Sequence, residues 1–414
     1  MISIENIEVA RFFLAVALLL LSAHFFGYLF HRLKMPKVVG EIFGGIILGP
    51  TFLGYFMPEI YKRIFLGENS LLAVVYWFGL VFLMFGSGFE LETKFNKRDK
   101  KTIIFIIIGS TVFPLIFGWY ALSFFDAAKL IGIKNNLFAL KLIIAVAIAV
   151  TSIPVVSKIF FDLGIIKTRF AKIILSIATI HDIVLWVFVA IATALVSSSE
   201  ISIKNIGLHI GYSVLFFAAA IFIMPKVIEF VNNLRLNVIP KNYEVGFIIF
   251  VLLLFVVLAS YLDINVVFGA FLAGIIVGFV RSQKFIKAKL HVKEFSFALF
   301  VPIYFAIVGI KLDLIHSFDA AFFIVFFIFA MVIQGTAVLL TARLLRYSWL
   351  SCINLAISMN ARGGPGIVLA TVAFDLGIIS ENFFVTLVML SIMTSLAAGS
   401  WLRYVVGKRW NLLE

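Results

Sequence analysis

Thirteen apolar runs follow one another along the chain, each bounded by charged residues or by residues that favour turns. A bilayer crossing needs about 20 apolar residues in helical conformation, and most of the runs have about this length. The pattern predicts an all-α polytopic membrane protein with about 13 transmembrane helices. The runs cover residues 9–30, 37–56, 70–89, 102–125, 137–160, 169–198, 206–230, 243–262, 264–280, 294–311, 318–342, 349–373 and 381–402.

Composition supports the membrane assignment, because 63% of the 414 residues are apolar, only 13% are charged and the mean hydropathy is +1.15. Water-soluble domains are close to half apolar and a quarter charged, so this class is excluded. The first run is too long, and the next spans follow it too closely, for a cleaved signal peptide. The lone cysteine, Cys352, leaves no intramolecular disulfide and no cysteine-based metal cluster.

The basic residues are distributed unequally between the two sides of the predicted membrane. The odd-numbered connections and the C-terminus hold 25 of the 34 Lys and Arg residues, the other side holds seven, and two lie within spans. Basic loops face the cytoplasm, so we expect the N-terminus outside and the C-terminus in the cytoplasm, in the inner membrane of a prokaryotic cell. The net charge of +13 is then a topological signal, and no nucleic-acid partner is expected.

One hexapeptide occurs twice, as Phe161–Ile166 at the end of the fifth run and as Phe374–Ile379 at the end of the twelfth. Each copy follows a run that contains a proline, Pro154 in one and Pro365 in the other. An ordinary proline kink would explain either residue alone. Matched positions seven spans apart instead favour two inverted repeats of six helices around a linker helix, an arrangement typical of secondary transporters with discontinuous helices.

Ionisable residues inside the predicted spans are few. Asp182 lies near the centre of the sixth run beside His181, and a charge at this depth costs about 2.5–3.5 kcal/mol, which favours a functional role. Arg362 lies in the twelfth run next to three glycines and Pro365. It has two interpretations: it binds substrate, or it pairs with backbone carbonyls released by a helix break or with an acid.

Five motifs in this order resemble the monovalent cation:proton antiporter-2 family, which includes Kef-type potassium/proton and sodium/proton exchangers. They extend over most of the chain and comprise Pro36–Ile42 with Gly49–Pro50, Phe82–Leu91, Thr151–Val156, Gly269–Gly274 and Asn360–Gly363. The resemblance implies a homodimer whose core of crossed broken helices moves like an elevator. It assigns residues 1–92 and 243–312 to a dimerisation domain, 102–198 and 318–404 to the ion-transport core, 206–232 to the linker helix and 405–414 to a cytoplasmic tail. We expect no cofactor and no bound nucleotide, because no nucleotide-sensing domain follows residue 404.

Four side chains match the ion- and proton-binding positions of the family. The resemblance implies that Asp182 binds the proton and the cation, and that Thr151 and Ser152 form the polar break of the first crossed helix. Thr179, one helical turn before Asp182, adds a hydroxyl on the same side.

The chain departs from the electrogenic members at two positions. It has His181 where they have a second aspartate, and Gln334 where they have a lysine. With one acid and a neutral His181, the sequence predicts electroneutral exchange of protons for Na⁺ or K⁺. A gated cation channel and a non-transporting sensor or partner subunit are the alternatives, whereas an enzyme is not expected, because the sequence contains no nucleophile and base at motif spacing.

Overall fold

The protein is described by a computed structural model that covers residues 6–65, 70–89, 99–197, 243–262, 264–280 and 283–414, together with residues 211, 215 and 226. These residues are almost entirely helical, and their only β-type pairing is an isolated bridge between Ile131 and Ile379. Ten helices in the described part are long and apolar enough to cross a membrane. The predicted all-α polytopic fold is therefore confirmed.

The count of thirteen spans is not confirmed, because three predicted spans differ from the ten. The run at 264–280 forms Val266–Phe279, which is short for a bilayer crossing. The run at 349–373 forms two short helices, Trp349–Met359 and Gly363–Asp375. The run at 206–230, and with it the linker helix predicted at 206–232, lies outside the described residues apart from single positions.

A charged segment that we interpreted as a connection is helical. The helix Gln283–Ala298 precedes Phe300–Ile310, so this span begins well before the predicted residue 294. The Nζ of Lys289 donates hydrogen bonds of 3.1 and 2.7 Å to the carbonyl oxygens of Gly278 and Val280, at the end of the preceding helix. The charge serves as a helix C-cap, a role that hydropathy does not reveal.

The chain divides into two compact units. The first comprises Met1–Leu91 and Leu208–His316. Its backbones approach closely at glycines: a Cβ on Gly45 would lie 1.9 Å from the carbonyl oxygen of Ala306, and small residues of this kind permit tight packing in membranes. Its helices are α1 (Asn6–Arg32), α2 (Lys37–Leu48), α3 (Pro58–Phe65), α4 (Ser70–Phe89), α10 (Glu244–Tyr261), α11 (Val266–Phe279), α12 (Gln283–Ala298) and α13 (Phe300–Ile310), with a π-helical turn at Pro50–Gly54.

The second unit comprises Glu92–Gly207 and Ser317–Glu414. Its core includes the buried rings of Phe160 and Phe170 and the buried Cys352. The roles predicted for the domains, dimerisation and ion transport, stay predictions. The helices of this unit are α5 (Lys100–Trp119), α6 (Ala127–Leu130), α7 (Leu137–Ala149), α8 (Ile153–Asp162), α9 (Arg169–Ser197), α14 (Ala320–Leu344), α15 (Trp349–Met359), α16 (Gly363–Asp375) and α17 (Glu381–Gly407), with a short 3₁₀ helix at Ala121–Ser123.

Both copies of the hexapeptide close a half-helix with the same hydrogen bonds. Gly164 and Gly377 have φ values of +70° and +68°, which the lack of a side chain permits. The next residue in each copy donates back across the turn, Ile165 to Phe160 and Ile378 to Ala373, and both copies thus form a Schellman motif. The repeat seen in the sequence is also a repeat of local structure.

The last residues pack against the start of α15. Helix α17 runs to Gly407, so the tail predicted at 405–414 begins inside a helix. Beyond it, the backbone N–H of Glu414 donates to Ser351 Oγ at 2.7 Å, and Asn354 Nδ2 donates to the carbonyl oxygen of Leu412 at 3.2 Å. These contacts hold the C-terminal residues against the N-terminal part of α15.

Candidate functional site: two crossed helix breaks

The first break separates α7 from α8. Its residues Val150 and Ser152 have extended backbone, and Ser152 caps α8 by accepting a 3.3 Å hydrogen bond from the N–H of Val155. Pro154 occupies the first turn of α8, where no intrahelical N–H is needed. In a continuous helix its ring would collide with the carbonyl of Val150, so this proline excludes an unbroken span.

The second break separates α15 from α16 at Asn360–Arg362, and Pro365 lies in the first turn of α16. Gly363 begins that helix with a φ of +45°, and its N–H donates to Ser395 Oγ at 3.1 Å. As at the first break, the carbonyl four residues before the proline, that of Ala361, belongs to the interruption itself. The same steric rule therefore places both breaks.

The two breaks lie against each other within the second unit. The N–H of Ser152 donates to the carbonyl oxygen of Ala361 at 2.7 Å, and Thr151 Oγ1 donates to the carbonyl oxygen of Met359 at 2.5 Å. A Cβ on Gly363 would lie 2.1 Å from a methyl carbon of Val155, so only glycine permits this approach. The predicted crossing of discontinuous helices is present.

Arg362 binds the carbonyls exposed by the first break. It is 1% exposed, and its Nε and Nη2 donate to the carbonyl oxygens of Ala147 and Ile148 at 2.9 and 3.0 Å. Nη2 also reaches the carbonyl oxygen of Ala330, and Nη1 reaches both oxygens of Asn360. Of the two interpretations of Arg362, the structure shows the pairing with backbone carbonyls. A cation here also opposes the negative end of α7.

Gln334 completes the cap of α7. Its Nε2 donates to the carbonyl oxygen of Ala149 at 3.3 Å, while the N–H of Val150 donates to that of Val146. Together with Arg362, these donors satisfy the last four carbonyls of α7, which a helix end otherwise leaves without partners. The Oε1 of Gln334 is buried and accepts no hydrogen bond from the described residues.

Asp182 lies midway along α9 and is 1% exposed. The other buried carboxylate in the described part of this unit, Asp99, lies just before α5 and pairs with Arg169 at 2.7 Å. Among the described residues of this unit, Asp182 is therefore the buried acid that lies within a long apolar helix. Thr179, one turn earlier, donates its hydroxyl hydrogen to the carbonyl oxygen of Leu175 at 2.8 Å, which leaves its oxygen able to accept or to coordinate.

His181 contacts the first break directly. Its Nδ1 lies 3.2 Å from Thr151 Oγ1 and its Nε2 lies 2.9 Å from Ser110 Oγ, and the imidazole is 3% exposed. Thr151 and Ser152, predicted as the polar break, are thus placed beside His181 and the second break. Sequence reasoning missed Ser110 and Ser395, whose only signal is a small hydroxyl within an apolar helix.

One family model matches most of the chain. The model of the family described as sodium/hydrogen exchanger, transmembrane, matches residues 20–408. The chain belongs to this family. The resemblance to cation:proton antiporters inferred from the motifs is thereby confirmed.

Three relatives carry the names of antiporters. The chain is 29% identical over 387 residues to the Na⁺/H⁺ antiporter NhaS4 of Synechocystis, covering 90% of this chain and 92% of that protein. It is 25% identical over 411 residues to the Na⁺/H⁺-K⁺ antiporter GerN of Bacillus cereus, covering 96% and 97%. It is 27% identical to the K⁺/H⁺ antiporter 1 of Saccharomyces cerevisiae over 400 residues, which cover 93% of this chain but 45% of the yeast protein.

A solved structure shares the fold of this family member. The sodium proton antiporter MjNhaP1 from Methanocaldococcus jannaschii, determined at pH 8, superimposes with a TM-score of 0.65 at 16% identity. The match covers 96% of this chain and 98% of that one. At this identity the similarity concerns the fold alone.

Proposed function

We propose that this family member exchanges protons for a monovalent cation, Na⁺ or K⁺, across the membrane. The observation that carries the proposal is the position of Asp182, a buried carboxylate midway along a spanning helix, in the unit that holds two crossed helix breaks. A charge is costly to bury at this depth, so a carboxylate placed here favours a functional role. The names of NhaS4, GerN and the yeast antiporter agree with this activity.

The chemistry is competition at one carboxylate. Asp182 holds either a proton or a cation, so binding of one releases the other. Hard cations prefer oxygen ligands, and we assign the supporting oxygens to Thr151, Ser152 and Thr179. Pro154 and Pro365 maintain the breaks. Arg362 and Gln334 do not bind the ion but support the site by donating hydrogen bonds to the C-terminal carbonyls of α7.

Exchange is electroneutral in this proposal, because Gln334 carries no charge and Asp182 is the one acid that changes its ligand. Both breaks, Asp182 and Arg362 belong to a single compact unit. This supports an elevator-like movement of the second unit as the ion-transport core, with the first unit as the dimerisation domain of a homodimer. The chain would lie in a prokaryotic inner membrane with its C-terminus in the cytoplasm, as the basic residues predict.

Purified protein in liposomes containing a pH-sensitive dye tests this function. We expect addition of Na⁺ or K⁺ to drive proton movement that saturates with cation concentration, while choline produces none. Cation currents far above carrier rates without coupled proton movement would instead identify a gated channel. No cation-dependent proton movement with any monovalent cation would identify a sensor or partner subunit.

A further inference from the structure

A chain of hydrogen bonds passes through His181 and connects four separate segments of the second unit. It runs from Ser110 on α5 to the imidazole on α9, then to Thr151 in the first break, and ends at the carbonyl of Met359 beside the second break. All of these side chains are buried. A buried chain of this kind orients its members, because each hydroxyl has a single hydrogen to donate.

For a neutral imidazole, the contacts fix the direction of each bond. A carbonyl only accepts, so the hydrogen of Thr151 Oγ1 goes to Met359. The contact between Thr151 and His181 must then use a hydrogen on Nδ1, with the threonine oxygen as acceptor. Ser110 Oγ lies 2.9 Å from Nε2 and a longer 3.4 Å from the carbonyl oxygen of Ile107, so with a neutral imidazole Nε2 accepts the hydrogen of Ser110. The histidine is held as the Nδ1–H tautomer.

The consequence concerns the oxygen of Thr151. A threonine hydroxyl has two lone pairs, and His181 occupies one of them, so a single lone pair in a fixed direction remains. We propose that His181 is a positioning residue, which aims this lone pair of Thr151 at the transported cation while holding the two breaks together. The inference rests on the proposed function, since it assigns the means by which the cation site is oriented.

Two substitutions separate this role from general support of the fold. Asparagine places its amide nitrogen close to the position of Nδ1 and can still donate to Thr151. Glutamine is one methylene longer and places its amide close to the position of Nε2, where it reaches Ser110 instead. The two amides have the same charge and nearly the same polarity, so the pair differs mainly in which hydrogen bond survives.

The experiment measures cation-dependent proton flux in liposomes for the wild type, His181→Gln and His181→Asn. Loss of one buried hydrogen bond corresponds to about a five- to tenfold change in binding. We expect His181→Gln to raise the half-saturating cation concentration about five- to tenfold with the maximal rate within about twofold of wild type, and His181→Asn to restore it. Ser110→Ala, which removes the partner of Nε2, should shift it by less than about twofold. Equal effects of the two amides, or an effect of Ser110→Ala as large as that of His181→Gln, would overturn the proposal.

A double-mutant cycle tests whether His181 acts through Thr151. In a Thr151→Val background, His181→Gln should produce no further change in half-saturating concentration, because the acceptor is already absent. Additive effects would mean that the histidine acts elsewhere.

Nitrogen NMR of the histidine-labelled protein needs no transport and so separates this inference from the proposed function. The chain has six histidines, and the His181 signal is the one lost in His181→Asn. We expect an Nδ1–H tautomer whose signal shifts in Thr151→Val. An Nε2–H tautomer would overturn the positioning role even if the wild type exchanges ions, and absence of exchange with the expected tautomer would overturn the function alone.

Discussion

The backbone N–H of Ser152 and the carbonyl oxygen of Ala361 form a 2.7 Å hydrogen bond that joins the middles of two interrupted helices. Both groups would be engaged within their own helices if the helices were continuous. In a membrane an unsatisfied backbone group costs several kcal/mol, so each break supplies the partner that the other lacks. The two interruptions therefore stabilise each other.

Two adjacent glycines at the crossing give the sharpest test of this packing. Gly363→Ala places a Cβ 2.1 Å from a methyl carbon of Val155 at a φ of +45°. Left-handed backbone costs about 1–2 kcal/mol for other residues, and overpacking adds about 1–3 kcal/mol. We expect a clear fall in thermal unfolding temperature and loss of exchange.

Gly364→Ala is the matched control, because its Cβ would meet no atom within 4 Å and its φ is not positive. Alanine is better than glycine in a helix by up to about 1 kcal/mol, so this variant should be as stable as wild type or more so. Equal destabilisation by the two substitutions would show that the close approach is not required.

Asp182→Asn should abolish cation-dependent proton flux while the protein remains folded. A neutral amide is cheaper to bury than a carboxylate but binds neither a proton nor a cation tightly. The measurement is flux in liposomes together with thermal unfolding in detergent. Asp162→Asn, at an exposed acid that pairs with Lys158, should leave both unchanged. Flux at the wild-type rate in Asp182→Asn would remove the central claim.

Arg362→Ala should destabilise the second unit, because it leaves buried carbonyl oxygens of α7 without hydrogen-bond donors. Each such unsatisfied carbonyl lowers the free energy of unfolding by about 1–3 kcal/mol. Arg362→Lys should recover only part of the loss, since an ammonium lacks the planar arrangement that reaches Ala147, Ile148 and Ala330 together. Thermal unfolding of the purified protein measures both, with the exposed Arg32→Ala as control. If lysine restored full stability, charge alone would explain the role.

Exchange should be independent of membrane voltage. A carrier that moves Asp182 with either a proton or a monovalent cation has the same charge in both directions, whereas each extra charge would couple by about 2.3 kcal/mol per 100 mV. The test is sodium-driven proton flux under a valinomycin potential, or under another clamp if potassium is itself transported. A reversal point that moves with voltage would contradict one-for-one exchange, and loss of that dependence in His181→Asn would identify the histidine as a second proton carrier.

Acid should loosen the loop after α13. Burial pushes the pKa of Asp313 up, but hydrogen bonds from the backbone and side chain of His316 and from the backbone of Ile315 outweigh it and hold the pKa below its ordinary value of 3.8. This stabilisation is therefore complete above pH 3.8 and is lost as the pH falls through the lowered pKa. The protection factors of the Ile315 and His316 N–H groups, which correct for the pH dependence of the intrinsic exchange rate, should fall there, and Asp313→Ala, which removes the acceptor oxygen, should show low protection already at neutral pH.

Much of this architecture follows from local patterns in the sequence. Apolar runs predict the helices, and Pro154 and Pro365 predict the breaks because the steric rule for proline acts within four residues. Gly164 and Gly377 close their half-helices through contacts that span six residues. Such features need no knowledge of the rest of the fold.

The partners of Arg362 and His181 could not be predicted in the same way. Arg362 reaches Ala147, more than 200 positions away, and no periodicity determines which carbonyls face it. Lys289 was misjudged for a related reason, since a cation that caps a helix and a cation in a loop look the same in a hydropathy profile. Contacts between distant segments depend on packing, which the sequence pattern constrains only weakly.

The burial of Cys352 makes this chain ready for site-specific spectroscopy. Its thiol is fully enclosed, and Sγ lies 3.6 Å from the carbonyl oxygen of Tyr347, so thiol reagents have little access to it in the folded protein. Cysteines introduced at exposed positions of each unit would accept spin labels or fluorophores without replacement of Cys352. Distances between such labels, recorded with and without cation, would report directly on whether one unit travels past the other.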